Sequence, residues 1–185
     1  MRSLTALILG FFLDLLIGDP HCIPHPVVLI GKLIAFGEKA MRALFPKTAW
    51  GEKLAGGAVW LIVVSLSTAA PWILLHFANG VSPWLGLALE TVMCAQILAT
   101  KSLRQESMRV FEALKTGDLA RSQYAVSRIV GRDTARLDEA GVTRAAVETV
   151  AENTSDGVNA TMLYLAIGGA PRGFFYKAVN TMDSM

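Results

Sequence analysis

Residues 54–78 read LAGGAVWLIVVSLSTAAPWILLHFA, a run without a formal charge. At about 1.5 Å per helical residue, such a run covers the ~30 Å hydrocarbon core of a bilayer. Working outward, the charge desert widens: between Lys53 and Lys101 the only formally charged side chain is Glu90. Asn79, Gly80, Ser82 and Pro83 spell a short turn, after which Trp84 to Thr100 returns. The two runs predict a transmembrane hairpin with Trp84 near an interface. Pro71 is expected to kink the first arm, which membrane helices tolerate.

Composition points the same way. The 185 residues are 53% hydrophobic and only 17% charged, with a mean hydropathy of +0.46. That is too apolar for an ordinary soluble domain. The net charge of +2, with no basic run carrying interleaved aromatics, excludes nucleic acid as a partner. Cys22 and Cys94 do not frame a disulfide scaffold. No Walker A, G-x-G-x-x-G or G-x-S-x-G motif occurs, so any nucleotide must be held in another way.

A shorter apolar stretch, Leu4 to Ile17, contains Asp14 and stops at Gly18-Asp19-Pro20. No small-x-small cleavage site follows it, so a retained helix is expected, short or re-entrant, with Asp14 facing protein or a polar cavity. The loop from Asp19 to Lys53 carries Lys32, Lys39, Arg42, Lys47 and Lys53, while the turn at 79–83 carries no Lys or Arg. The positive-inside rule therefore places that first loop and the region after residue 100 in the cytoplasm.

Residues 101–158 read as soluble helices. KSLRQESMRVFEALK (101–115) is amphipathic, Gly117 ends it, and Asp118 can cap LARSQYAVSRIV (119–130), which stops at Gly131. Thr134 or Asp138 can cap a third helix that runs to about Asn153, before Ser155 and Gly157 break it. No strand alternation stands out. The expected fold class is all-α: an integral membrane helical protein, one domain over 1–185. Membrane segments fall at 1–18 and 54–100, cytoplasmic helices at 101–158, and 159–185 begins a further membrane or active-site segment.

The polar stretch ETVAENTSDG (148–157) is out of character with so greasy a chain. Arg144, Glu148 and Glu152 recur every four residues and form one helical stripe, with Asp156 just beyond the helix end. A solvated stripe with an Arg144–Glu148 pair is the plain reading, worth a few tenths of a kcal/mol. Against it, Glu148 and Glu152 are like charges one turn apart. The acids also run straight into Asn153, Asp156 and Gly157. Oxygen ligands at this density suit Mg²⁺, with Glu152 and Asp156 as the candidate ligands. In SRIVGRDT (127–134), Arg128, Arg132 and Asp133 could meet phosphate or carboxylate. A helix C-terminus decorated with cations explains the arginines equally. GDPHCIPHPV (18–27) offers Asp19, His21, Cys22 and His25, but its three prolines make a shaped loop a better reading than a zinc site.

Three blocks together are specific. DLLIGDPHCIPHPVVLIGKLI (14–34), SRIVGRDTARLDEAGVTRAAVETVAENTSDGV (127–158) and GGAPRGFFYKAVNTMDSM (168–185) resemble, in order, the motifs of the CobD/CbiB family of cobalamin-biosynthesis membrane proteins. The resemblance implies an adenosylcobinamide-phosphate synthase. Such an enzyme joins aminopropanol, or its phosphate, to a carboxylate of adenosylcobyric acid, with ATP and Mg²⁺ activating the carboxylate through an acyl phosphate. It implies catalytic roles for Glu148, Glu152, Asn153 and Asp156. Substrate or phosphate contacts fall to Asp19, His25, Arg128, Arg132, Asp133, Lys177, Asn180 and Asp183. It further implies a multi-pass protein of the cell membrane with its active site facing the cytoplasm, and it leaves a homo-oligomer open. Family members continue past NTMDSM, so the chain is expected to match their N-terminal portion, and activity of this stretch alone is an open expectation. Other readings are a non-enzymatic membrane sensor resembling the AmpE group, an inactive fragment of the synthase, or a transporter fragment.

Overall fold

The computed structural model describes residues 2–18, 25–131 and 133–185, and every regular element among them is helical. Helix α1 (Arg2–Ile17) ends at Gly18, whose φ of 70° closes the helix. Gly10 lets α1 lie directly on the following membrane arm: a Cβ there would stand 2.6 Å from Cys94 Cβ. Helix α2 (Pro26–Leu44) starts with Pro26 in its first turn, and His25 Nδ1 accepts the Val27 N–H at 3.2 Å.

Helix α3 (Ala49–Val81) is capped by Thr48 and runs without interruption through Pro71. Its 33 residues span about 50 Å. Helix α4 (Pro83–Leu98) follows after Ser82 alone, which ends one helix and caps the next through Trp84 N–H at 3.3 Å. The short turn expected at 79–83 is thus tighter than the sequence implied. Asn79 and Gly80 remain helical, and Asn79 Oδ1 occupies the space that a side chain at Gly86 would need.

At Ala99 the chain adopts φ 52°, and α4 bends into α5 (Thr100–Lys115). Pro83–Lys115 continues across that bend as one helical stretch, apolar through α4 and amphipathic in α5. It and α3 are the two helices, among the described residues, long and apolar enough to cross a membrane. Their flanks expose Phe77 at 69% and Trp84 at 79%, an apolar surface.

Residues 26–44, expected as part of a cytoplasmic loop, are helical instead. Ile30, Ile34 and Gly37 recur on one face and pack against Val59 and Val63 of α3, while Lys32, Lys39 and Arg42 lie on the others. The charges concealed an amphipathic helix.

The expected three-helix region is present. Helices α5, α6 (Leu119–Ser127) and α7 (Glu139–Asn153) bury Val110, Val126, Val142 and Ala145 together. Gly117 has φ 71°, Asp118 accepts the Arg121 N–H at 3.0 Å, and Asp138, rather than Thr134, caps α7 through Gly141 N–H at 2.8 Å. Thr134 is buried and donates to the Gln123 carbonyl at 3.1 Å. The α-helix ends at Asn153 as expected, but Ser155 and Gly157 continue it in π-helical form and do not open a loop. Residues Thr154–Ala160 form a π-helical turn that leads into α8 (Thr161–Asp183).

Helix α8 is not one rod. Gly168 (φ −154°, ψ 23°) and Gly169 (φ 67°, ψ −166°) interrupt it. The Tyr164 and Tyr176 rings stack with centroids 4.7 Å apart. In an unbroken helix those residues would sit about 18 Å apart along the axis. The chain therefore reverses at the two glycines. Residues 161–167 form an outgoing limb and 170–183 a returning limb. The segment expected to begin a further membrane or active-site segment is a helical hairpin. Leu165 on the outgoing limb packs with Ala6, Ile97 and Leu98, whereas Ala178 on the returning limb packs with Ile30 and Val63.

Candidate functional site

The polar surface lies where α7, the π-helical turn and the α8 hairpin meet. The π turn opens the backbone by one residue, and Thr161, fully buried, donates its hydroxyl to the Asp156 carbonyl at 3.2 Å, five residues back. Such turns recur at functional sites. Asn153 Nδ2 donates to the Thr149 carbonyl at 2.9 Å, and Thr154 Oγ1 to the Val150 carbonyl at 2.6 Å. The Glu148, Glu152, Asn153 and Asp156 side chains are exposed.

Chain reversal sets the returning limb against this turn. Tyr176 is half-buried beneath Tyr164, and Asn180 donates to its phenol oxygen at 3.5 Å. Burial raises the Tyr176 phenol above its ordinary value of 10. The hydrogen bond from Asn180 opposes that rise, and the Asp156 carboxylate adds to it. Asp156, Tyr164, Tyr176 and Asn180 thus form one electrostatic neighbourhood. Lys177 follows Tyr176 on the limb and is half-buried.

The other expected residues are less concentrated. Arg128 pairs with Glu106 of α5 at 3.4 Å, and Arg109 binds the same carboxylate. Its guanidinium therefore ties α6 to α5. Asp133 Oδ1 accepts the Ala135 N–H at 3.0 Å and shapes the loop before α7. His25 caps α2. Asp183 is exposed at the last residue of α8, about 10 Å along the limb from Tyr176. Asp19 and Arg132 lie outside the described residues, as do His21 and Cys22.

Among the described residues no group of three His, Cys, Asp or Glu side chains is gathered to hold a metal ion. Glu148, Glu152 and Asp156 are thus not gathered into a three-carboxylate cluster. The π turn widens the helix just where a third carboxylate would have to join the stripe. Glu152 and Asp156 remain a pair of exposed carboxylates. Mg²⁺ commonly takes one or two carboxylates and completes its shell with water and phosphate oxygens. The donor set fits that lighter role and does not supply a protein cage.

Tyr164 and Tyr176 do not stand out in the sequence. The signal that could have exposed them is Gly168-Gly169 followed by Pro171, a helix breaker between two aromatic-bearing stretches.

A family model described as CobD/Cbib protein matches residues 7–185. The chain belongs to the CobD/CbiB family. It is 45% identical over 183 residues to "Cobalamin biosynthesis protein CobD" of Klebsiella pneumoniae subsp. pneumoniae, covering 99% of this chain and 57% of that protein. The protein of the same name from Geobacter metallireducens is 49% identical over 173 residues, 94% of this chain and 53% of the relative. "Cobalamin biosynthesis protein CbiB" of Salmonella typhi is 42% identical over 186 residues, 99% of this chain and 57% of the relative. The chain thus spans a little over half the length of these relatives. No solved structure matches it. The CobD/CbiB match runs from α1 through the last helix, so the polar turn and the hairpin both fall inside the matched residues.

Proposed function

We propose that this chain acts in cobalamin biosynthesis, within an amide-forming synthase that joins aminopropanol or its phosphate to a carboxylate of adenosylcobyric acid. The observation that carries the reading is the identity, 42–49% over nearly the whole chain, to relatives named for cobalamin biosynthesis. The arrangement of the polar turn supports it. An amide does not form from a free carboxylate without activation, and bound ATP with Mg²⁺ would supply that activation. Glu152 and Asp156 would hold the ion, with Glu148 one turn away on the same helix face. Lys177, next to Tyr176 on the returning limb, would face phosphate oxygens. Asn153, at the end of α7, would orient the substrate carboxylate or the incoming amine. The phenol of Tyr176 stays protonated at neutral pH and can donate to a substrate oxygen.

The setting is a cell membrane, with α3 and α4 crossing it and the α5–α7 bundle in the cytoplasm. Lys32, Lys39, Arg42, Lys47 and Lys53 favour that orientation. The opposite end is less bare than its sequence implies, because Arg2 donates to the Pro83 carbonyl at the hairpin turn.

The test is direct. Membranes containing this chain are incubated with adenosylcobyric acid, radiolabelled aminopropanol phosphate, ATP and Mg²⁺, beside membranes containing the Klebsiella relative. Labelled corrinoid product, or saturable adenosylcobyric acid binding by this chain, is expected. Neither, while the relative turns over, would overturn the proposal.

A further inference from the structure

Glu90 is the sole formal charge between Lys53 and Lys101, and it lies midway along α4. An acid within an apolar membrane arm is costly unless it finds a partner. Its partner here is the tip of the α8 hairpin. Glu90 Oε1 accepts the Ala170 N–H at 3.4 Å, where the returning limb begins. The first N–H groups of a helix have no acceptor of their own, and their dipoles favour a negative charge.

Residue 169 can only be glycine in this arrangement. Its φ is +67°, and a Cβ would run into the same Glu90 oxygen on one side while standing 3.1 Å from Ser3 Oγ on the other. The hairpin tip is thus held between α1 and α4, with its backbone pressed against the carboxylate. From Ala170 the limb descends one continuous helix to Tyr176, Lys177 and Asn180.

We propose that Glu90 is a positioning residue for the candidate site: by holding the Ala170 N–H it fixes the depth and rotation of the returning limb, and so places Tyr176, Lys177 and Asn180 beside the polar turn. Its consequence for turnover rests on the functional reading above, whereas its effect on the limb does not. Glu90 lies on the far limb contact and touches no expected substrate group, so it acts only through the hairpin.

Hydrogen–deuterium exchange of the full chain in lipid nanodiscs tests this. Glu90→Met keeps the length and suits an apolar helix but removes the acceptor, whereas Glu90→Gln keeps an acceptor without the charge. Exchange in the peptide spanning residues 168–176 is expected to rise about tenfold for Glu90→Met, the scale of one lost hydrogen bond. Glu90→Gln should stay within about threefold of the parent, and the α5–α7 bundle should be unchanged in both. Parent-like exchange in Glu90→Met, or equal loosening in both variants, would overturn the proposal. Where the parent shows amide-forming turnover, the same order is expected in kcat, with KM for the corrinoid little changed. Absent turnover in the parent counts against the functional reading, and the exchange result still decides the role of Glu90.

Discussion

The ring of Tyr164 lies stacked on the ring of Tyr176, centroid to centroid 4.7 Å, although Gly168 and Gly169 stand between them in the chain. This contact brings the YKAVN stretch back to the acids of the π turn. It predicts that a Tyr164→Cys/Tyr176→Cys pair, in a chain with Cys22 and Cys94 replaced by alanine, forms an intramolecular disulfide under mild oxidation. A continuous helix would hold the pair about 18 Å apart and yield none.

A second junction depends on Asp14. Its side chain is buried, and Oδ2 accepts the Thr100 N–H at 2.7 Å, tying the end of α1 to the start of α5. Leaving a buried N–H without its acceptor typically costs about 1–3 kcal/mol. Asp14→Ala is therefore expected to lower the Tm of the purified chain, and Asp14→Asn, which keeps an acceptor, to lower it less. Equal Tm values for Asp14→Ala and the parent would remove this junction from the account.

The Tyr176 phenol should titrate above its ordinary value of 10. Its protonated form is favoured in the folded chain, so its contribution to stability is fully present below pH 10 and is lost as pH rises beyond it. Absorbance titration, with Tyr176→Phe used to assign the signal among the three tyrosines, should show the midpoint moving down in Asp156→Asn. An unmoved midpoint would mean that the carboxylate does not face the ring.

Gly80 is exposed near the end of α3, and a Cβ there would meet nothing within 4 Å. A Gly80→Cys chain should thus insert normally and react with an impermeant thiol reagent from outside intact cells. Reaction only after the inner face is opened would reverse the orientation.

Much of the fold could be read from the sequence because its causes are local. The charge desert reveals α3 and α4, and Gly117, Asp118 and Asp138 mark helix ends with their own side chains or backbone freedom. Helix α2 was hidden because Lys32, Lys39 and Arg42 resemble a charged loop until Val59 and Val63 supply the face that Ile30 and Ile34 cover. The site was legible as a set of acids, but not as an arrangement. Arg128 finds Glu106 more than twenty positions away, and Tyr176 meets the polar turn only because Gly168 and Gly169 reverse the chain. The contact of Glu90 with Ala170 is equally non-local.

The proposed function makes the acids beside the hairpin the polar half of an amide-forming site. Glu152→Gln and Asp156→Asn, introduced singly, test it in the membrane assay with adenosylcobyric acid, aminopropanol phosphate, ATP and Mg²⁺. Both side chains are exposed, so folding should be near normal. Loss of a group that stabilises a transferring phosphate is expected to cost at least ~10²-fold in rate. A fall of that size in both variants, with parent-like hydrogen exchange, is the predicted result. Retention of most of the parent's amide formation by both would show that Glu152 and Asp156 are a solvated helix face.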